Sequence, residues 1–175
     1  MKKIVIIFLF ILIQGISYGG NPRLIGKYQT NIGIGLSEYS PPVYFGIENY
    51  LLNDITIGME VSYRSSNTTR EGKFYRENII GFSANGNYHF NEMLDLDKEW
   101  DLYSGLNAGY YYWYSPNSNE YFNSNIGIGF QVGGRYYFNE YFGVNVEIGV
   151  GNAFNGGKFG FSFRFEQELI LLIKR

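Results

Sequence analysis

The sequence predicts an all-β chain, an eight-stranded antiparallel up-and-down transmembrane β-barrel. Three observations carry that prediction. Apolar and polar side chains alternate with a period of two along eight segments. The connections between those segments alternate between short and long. Glycines and charges gather on the polar face of the segments and leave the other face apolar. The 175 residues suit one domain. Tyr 17, Phe 15 and Gly 23 are far above ordinary usage; aromatic rings favour strands, and glycine favours turns and close backbone approach. With no Cys, a disulfide scaffold, a thiolate metal site and an acylated lipoprotein cysteine are excluded. Lys+Arg 14 against Asp+Glu 16 excludes a strongly basic nucleic-acid binder.

Residues 1–19 stand apart from the fold. Lys2 and Lys3 precede an unbroken apolar run from Ile4 to Ile13, and Ser17 and Gly19 place small residues before a cut after Gly19. This is the layout of a cleaved secretory signal peptide. The competing reading, an anchor helix, needs about 20 apolar residues to span a bilayer, more than this run offers. The barrel then occupies residues 20–175. Nothing else in the chain is long enough to span as a helix, so any crossing falls to strands.

Each strand follows from its alternation. In 55–64, Ile55, Ile57, Met59, Val61 and Tyr63 alternate with Thr56, Gly58, Glu60, Ser62 and Arg64. Successive strand side chains point to opposite faces, so this is one apolar and one polar face. The same pattern puts Tyr28, Ile32, Ile34 and Leu36 on the apolar face of 27–36, and Val43, Phe45 and Ile47 on that of 43–51. It continues with Phe82, Ala84 and Tyr88 in 80–90, Leu102, Leu106 and Tyr110 in 101–112, and Ile126, Phe130 and Tyr136 in 126–138. Phe142, Val146 and Ile148 mark 142–150, and Phe159, Phe161, Phe163 and Phe165 mark 159–165.

The connections 52–54 and 139–141 are tight and 91–100 is intermediate. Those at 37–42, 65–78, 113–125 and 151–158 are longer and rich in Ser, Asn and Gly, the composition of loops. Three related phrases, Tyr50-Leu-Leu-Asn-Asp54, Tyr88-His-Phe-Asn-Glu92 and Tyr136-Tyr-Phe-Asn-Glu140, each close one strand and open the next, so all three belong at one end.

Glycine and charge decide what the apolar face meets. Gly33, Gly46, Gly58, Gly81, Gly105, Gly109, Gly129, Gly133, Gly143 and Gly160 share the polar face, and only Gly86 and Gly134 lie on the apolar one. A soluble two-sheet sandwich has no need of small residues on its solvent face, whereas an eight-stranded barrel is only just wide enough to hold side chains. Glu48, Glu60, Arg64, Arg135, Glu147 and Arg164 also lie on the polar face. A basic side chain facing lipid at mid-depth costs roughly 2–4 kcal/mol. A lipocalin-like barrel would turn the apolar face inward instead. Tyr50, Tyr88, Tyr136 and Phe138 near the tight turns, with Tyr63, Tyr110 and Tyr112 near the long loops, are expected at the two membrane interfaces. Strands of about ten residues with short turns at one end and longer loops at the other give an outer-membrane barrel, with short turns and both termini on the periplasmic side.

The chain resembles the small outer-membrane barrel family of the OmpA/OmpX and opacity-protein type over roughly residues 27–165. The resemblance is carried by Asn53-Asp-Ile-Thr-Ile-Gly58, Trp100-Asp-Leu-Tyr-Ser-Gly105, Gly134-Arg-Tyr-Tyr-Phe-Asn-Glu140 and the aromatic strand Phe159-Gly-Phe-Ser-Phe-Arg-Phe165. It implies a Gram-negative cell envelope, insertion by the barrel-assembly machinery, and a role in adhesion, envelope integrity or small-molecule passage. Such barrels end on an aromatic residue, whereas Phe165 is followed by the atypical tail 166–175.

Catalysis finds little support. The lone His89 sits beside a periplasmic turn, away from the leaflet that holds lipid A, and Asn91 stands where a deacylase pattern would place Ser. The acidic run Asp95, Asp97, Glu99 and Asp101 lacks the spacing, turn glycine and closing Glu of a calcium loop and reads as a solvated turn. The Gly-x-Gly pieces at Gly33 and Gly127 precede no helix, so no nucleotide, metal or other cofactor is expected. Two sets of candidate functional residues are left. In the lumen, Glu48, Glu60 and Glu147 face Arg135 and Arg164, with Arg64 nearby, either as ion pairs that plug the barrel or simply as a polar lining; buried charges need partners. In the loops, Arg70, Lys73, Phe74, Tyr75 and Arg76, with Trp113, Tyr114, Tyr121 and Phe122, suit lipopolysaccharide phosphates or a host surface, since cationic side chains bind anions. The expected partners are outer-membrane lipids, lipopolysaccharide and a cell-surface ligand. The expected role is structural or adhesive and non-catalytic, with a narrow channel or carrier for small solutes as the alternative.

Overall fold

The structure, a computed structural model, describes residues 27–36, 40–70, 73–115, 124–151 and 155–166. The expected signal peptide and residues 167–175 of the tail lie outside them. The strands are β1 (Lys27–Leu36), β2 (Val43–Leu52), β3 (Ile55–Arg70), β4 (Lys73–His89), β5 (Trp100–Tyr114), β6 (Asn125–Tyr137), β7 (Phe142–Gly151) and β8 (Gly156–Glu166). They pair antiparallel in chain order, and β8 returns to β1, with Lys27 opposite Glu166, to close the barrel. Closure gives the strands hydrogen-bonding partners on both sides, the condition for β structure inside a bilayer.

The alternation read from the sequence divides outside from inside. Ile32, Phe45, Val61, Phe82, Ile128, Val146 and Phe161 are exposed on the outer surface, and Leu106 is 65% exposed. The inward positions reverse this: Gln29, Glu48, Thr56, Asn87, Asp101, Gln131 and Glu147 are buried, and Arg135 is 1% exposed. The apolar surface faces outward and the polar residues form the core, the inverse of a soluble sandwich. Glycine provides the room inside. A Cβ on Gly133 would run into the Tyr103 ring, whereas one on the outward Gly86 would have its nearest neighbour 3.9 Å away.

Aromatic rings follow the turn-side rim from strand to strand. Trp100 lies 4.9 Å from Tyr136, Tyr136 5.6 Å from Phe138, Phe138 5.7 Å from Phe142, and Phe142 5.3 Å from Phe163, centroid to centroid. Tyr50 does not join this belt as expected. It shares the face of Tyr44 and Glu48, is 5% exposed, and packs inside at 5.2 Å from the His89 ring.

The expected loop 65–78 is also corrected. β3 and β4 remain paired from Ser65–Asn78 to Arg70–Lys73, so only residues 71–72 connect them. The last pair with β2 is Tyr63–Val43 and the last with β5 is Asn78–Tyr114. Beyond these the hairpin continues as a two-stranded arm. Its strands carry Ser65, Asn67 and Thr69 where the barrel carries Val61 and Tyr63, because a segment past the bilayer has no lipid to require an apolar face.

Candidate functional site: a charged lumen and an outer arm

Inward parity brings one polar side chain from each of five adjacent strands into a closed ring. Glu48 (β2), Thr56 (β3), His89 (β4), Asp101 (β5) and Arg135 (β6) are all buried. Arg135 Nη2 lies 2.6 Å from Glu48 Oε1, and its Nη1 lies 2.9 Å from Asp101 Oδ2. Asp101 Oδ1 meets His89 Nδ1 at 2.6 Å. His89 Nε2 is 3.0 Å from Thr56 Oγ1, and that hydroxyl is 3.2 Å from Glu48 Oε2, completing the circuit. Arg135 stands at the centre of charge. Its guanidinium lies 4.0 Å over the Tyr103 ring, and the Gln29 amide oxygen accepts from its Nη1 at 2.8 Å. Asp101 is also 3.7 Å from Arg164 Nη2, while Arg164 stacks 3.4 Å over Tyr137. Removing such charges from water is costly unless each finds partners, and here each does.

Two further layers continue toward the arm. Amides bridge the first: Asn31 donates to Glu48 at 2.8 Å, Gln131 to Asn87 at 2.7 Å, and Asn107 to Gln131 at 2.8 Å. In the second, Lys158 bridges Glu60 at 2.8 Å and Glu147 at 3.1 Å. Tyr103 donates to Glu147 at 2.9 Å, linking this layer back to the ring. A cavity of about 20 Å³ lies above the amides, lined in part by Tyr44, Glu60, Arg64, Tyr111 and Lys158. One water needs roughly 10–15 Å³ of such space, so the cavity is large enough for one or two.

Of the lumen residues expected from sequence, Glu48 and Arg135 meet directly. Glu60 and Glu147 instead share Lys158, and Arg164 turns to Asp101. Arg64 lines the cavity and a smaller one near Trp113. Asp101, His89 and Lys158 were not in that expected network. Asp101 is fully buried, not part of a solvated turn, and Lys158 belongs to β8 rather than to a loop. Parity was the available signal: Asp101 shares its face with Tyr103 and Gly105, and Lys158 shares its face with Gly160, Ser162 and Arg164.

The Asp101–His89–Thr56 order matches that of an acid–imidazole–hydroxyl relay. A relay needs a substrate within reach of its hydroxyl, whereas Thr56 is 0% exposed and faces Glu48. The arrangement can order protons and hold strands together. Among the described residues, no group of three or more His, Asp or Glu side chains is set to hold a metal ion.

The surface residues expected in loops lie mostly on strands. Arg70, Lys73, Phe74, Tyr75 and Arg76 belong to the arm of β3 and β4, and Trp113 and Tyr114 end β5. Arg76 is exposed and Tyr75 is half-buried. Trp113 lines the small cavity at the root of the arm with Ser40, Ser66 and Glu77. Tyr121 and Phe122 lie outside the described residues.

The fold is that of small eight-stranded outer-membrane barrels. The outer-membrane protein OprG from Pseudomonas aeruginosa superposes with a TM-score of 0.63 at 11% identity, covering 82% of this chain and 97% of that one. The N-terminal β-barrel domain of Pseudomonas aeruginosa OprF gives 0.55 at 15% identity, over 81% and 98%. Ail, the attachment invasion locus protein of Yersinia pestis, solved with the heparin analogue sucrose octasulfate, gives 0.51 at 13% identity, over 81% and 100%. No protein-family model and no curated protein matches the sequence. At these identities the likeness is one of fold.

Proposed function

We propose that this chain is a non-catalytic outer-membrane surface protein, exported by a cleaved signal peptide and inserted by the barrel-assembly machinery. Its lumen is a structural plug, and its outer arm makes the contacts that matter to the cell. The observation that carries this reading is the closed ring of buried partners around Arg135. A conduit for solutes would need those partners parted, and each ring member left buried and alone is costly. The exposed apolar band supports residence in lipid, because an apolar surface of this extent is unstable in water.

The arm supports the surface role. Arg70, Lys73 and Arg76 sit on it with Phe74 and Tyr75, and only Glu71 and Glu77 oppose them in charge between residues 65 and 78. Cationic side chains beside aromatic ones suit phosphate-bearing or sulfated saccharides, lipopolysaccharide among them. That Ail was solved with a sulfated ligand is consistent with such a partner, though it speaks for Ail. Two measurements test the proposal. Planar bilayers containing the purified chain should show no steady conductance, and a persistent open state would return the narrow-channel reading. Cells carrying the chain with residues 66–76 replaced by a short turn should lose binding to lipopolysaccharide-coated or host surfaces. Undiminished binding by these cells would refute the role of the arm.

A further inference from the structure

The ring in the lower lumen contains one contact more than a neutral imidazole can satisfy. Thr56 Oγ1 lies within hydrogen-bond distance of both His89 Nε2 and Glu48 Oε2, at 3.0 and 3.2 Å, yet a hydroxyl has a single hydrogen. On the other side, His89 Nδ1 is 2.6 Å from a carboxylate oxygen of Asp101, so that nitrogen bears a hydrogen. In the neutral ring Nε2 is then a bare acceptor. It takes the Thr56 hydrogen, and Glu48 Oε2 is left facing a hydroxyl lone pair. When both nitrogens are protonated, Nε2–H donates to Thr56 and the Thr56 hydrogen turns to Glu48. Every link around the ring then matches a donor to an acceptor.

We propose that His89 is a proton-operated latch: the imidazolium closes the ring that ties β2 through β6 together, and loss of its proton swings Thr56 away from Glu48 and opens one link. The groups facing His89 define the setting. Tyr50 approaches from β2, Thr56 from β3, and Asp101 and Tyr103 from β5, while Glu48 of β2 is reached through Thr56, and Arg135 of β6 and Arg164 of β8 through Asp101. Two carboxylates already oppose two guanidinium groups, so the latch is set by matching hydrogen bonds rather than by surplus negative charge. Glu48 keeps Asn31, Asn87 and Arg135 in either state. The ring therefore loosens without falling apart. This goes beyond a static plug, because it makes the firmness of the lower lumen respond to acidity.

His89 is the only histidine in the chain, so ¹⁵N-histidine labelling of the folded protein in micelles reports on one ring without ambiguity. From the alkaline to the acid end of the range in which the barrel stays folded, Nδ1 should stay protonated while Nε2 gains its hydrogen. Over the same interval unfolding in denaturant, followed by loss of the compact gel form, should slow by roughly fivefold in the native sequence, one hydrogen bond's effect. The acid-side slowing should persist in Thr56→Ser, which keeps the hydroxyl, and vanish in Thr56→Val, which removes it. Each variant is compared with itself across pH, so a general loss of stability does not blur the result. A ring carrying its hydrogen on Nε2 with Nδ1 bare at the alkaline end would overturn the latch, as would Thr56→Val slowing by the same factor as the native chain.

Discussion

At the residue scale the lumen depends on Arg135 more than on any other side chain in it. Its guanidinium is shared between Glu48 and Asp101 and covers the Tyr103 ring. Replacing it with Met keeps much of the volume but leaves two buried carboxylates short of their cation. Breaking a buried pair from one side costs about 3–5 kcal/mol. Glu60→Gln removes a carboxylate from Lys158 yet leaves Glu147 at 3.1 Å to hold the ammonium, so its cost should be clearly smaller. Denaturant titrations of both variants in one detergent check the order. Equal costs would show that the ring around Arg135 is no better coupled than the layer above it. Neighbouring glycine enforces the same packing, since the Tyr103 ring that supports Arg135 occupies the place of a Gly133 side chain.

At the element scale, what could be read from the sequence depended on whether lipid was present to impose a pattern. All eight strands were legible wherever the outward face meets acyl chains. In β3 the run Ile55, Ile57, Met59, Val61, Tyr63 is unmistakable, and all five face outward. Past Tyr63 the same strand continues through Ser65, Asn67 and Thr69. With no apolar face to mark it, this stretch resembled a loop. The lumen was legible in its members but not in its pairings, because parity says which residues face inward but not which meet across the barrel. Glu60 and Lys158 are 98 positions apart in the chain and are joined only by closure of the sheet. The arm also yields a test of orientation. A short epitope inserted at residues 71–72 should leave the compact gel form intact and be recognised by antibody on whole cells. The same epitope between Asn139 and Glu140, in the tight β6–β7 turn, should be reached only after the outer membrane is opened. Labelling of the second site on intact cells would reverse the assignment of inside and outside.

At the scale of the whole molecule, the stability of the barrel should vary with depth in the bilayer. Met59 lies midway between the β2–β3 turn and the Tyr63 end of the apolar stretch, is 43% exposed, and pairs with Ile47 and Ala84. An arginine there faces acyl chains on every side, whereas one at Trp100, on the aromatic rim, can extend its head group to water. The expected cost is about 2–4 kcal/mol for Met59→Arg and about 0–1 kcal/mol at the rim. Trp100→Arg also loses the ring contact with Tyr136, so Tyr63→Arg at the opposite interface serves as a second reference. Reversible unfolding from liposomes measures all three. A mid-depth arginine that costs no more than the interfacial ones would mean that the exposed Ile, Val and Phe side chains are not facing hydrocarbon. The same substitution in detergent micelles should show a weaker depth dependence, because a micelle deforms around a charge more readily than a bilayer does. That contrast separates a lipid effect from a defect in strand pairing, since mispairing between β2, β3 and β4 would persist in both environments.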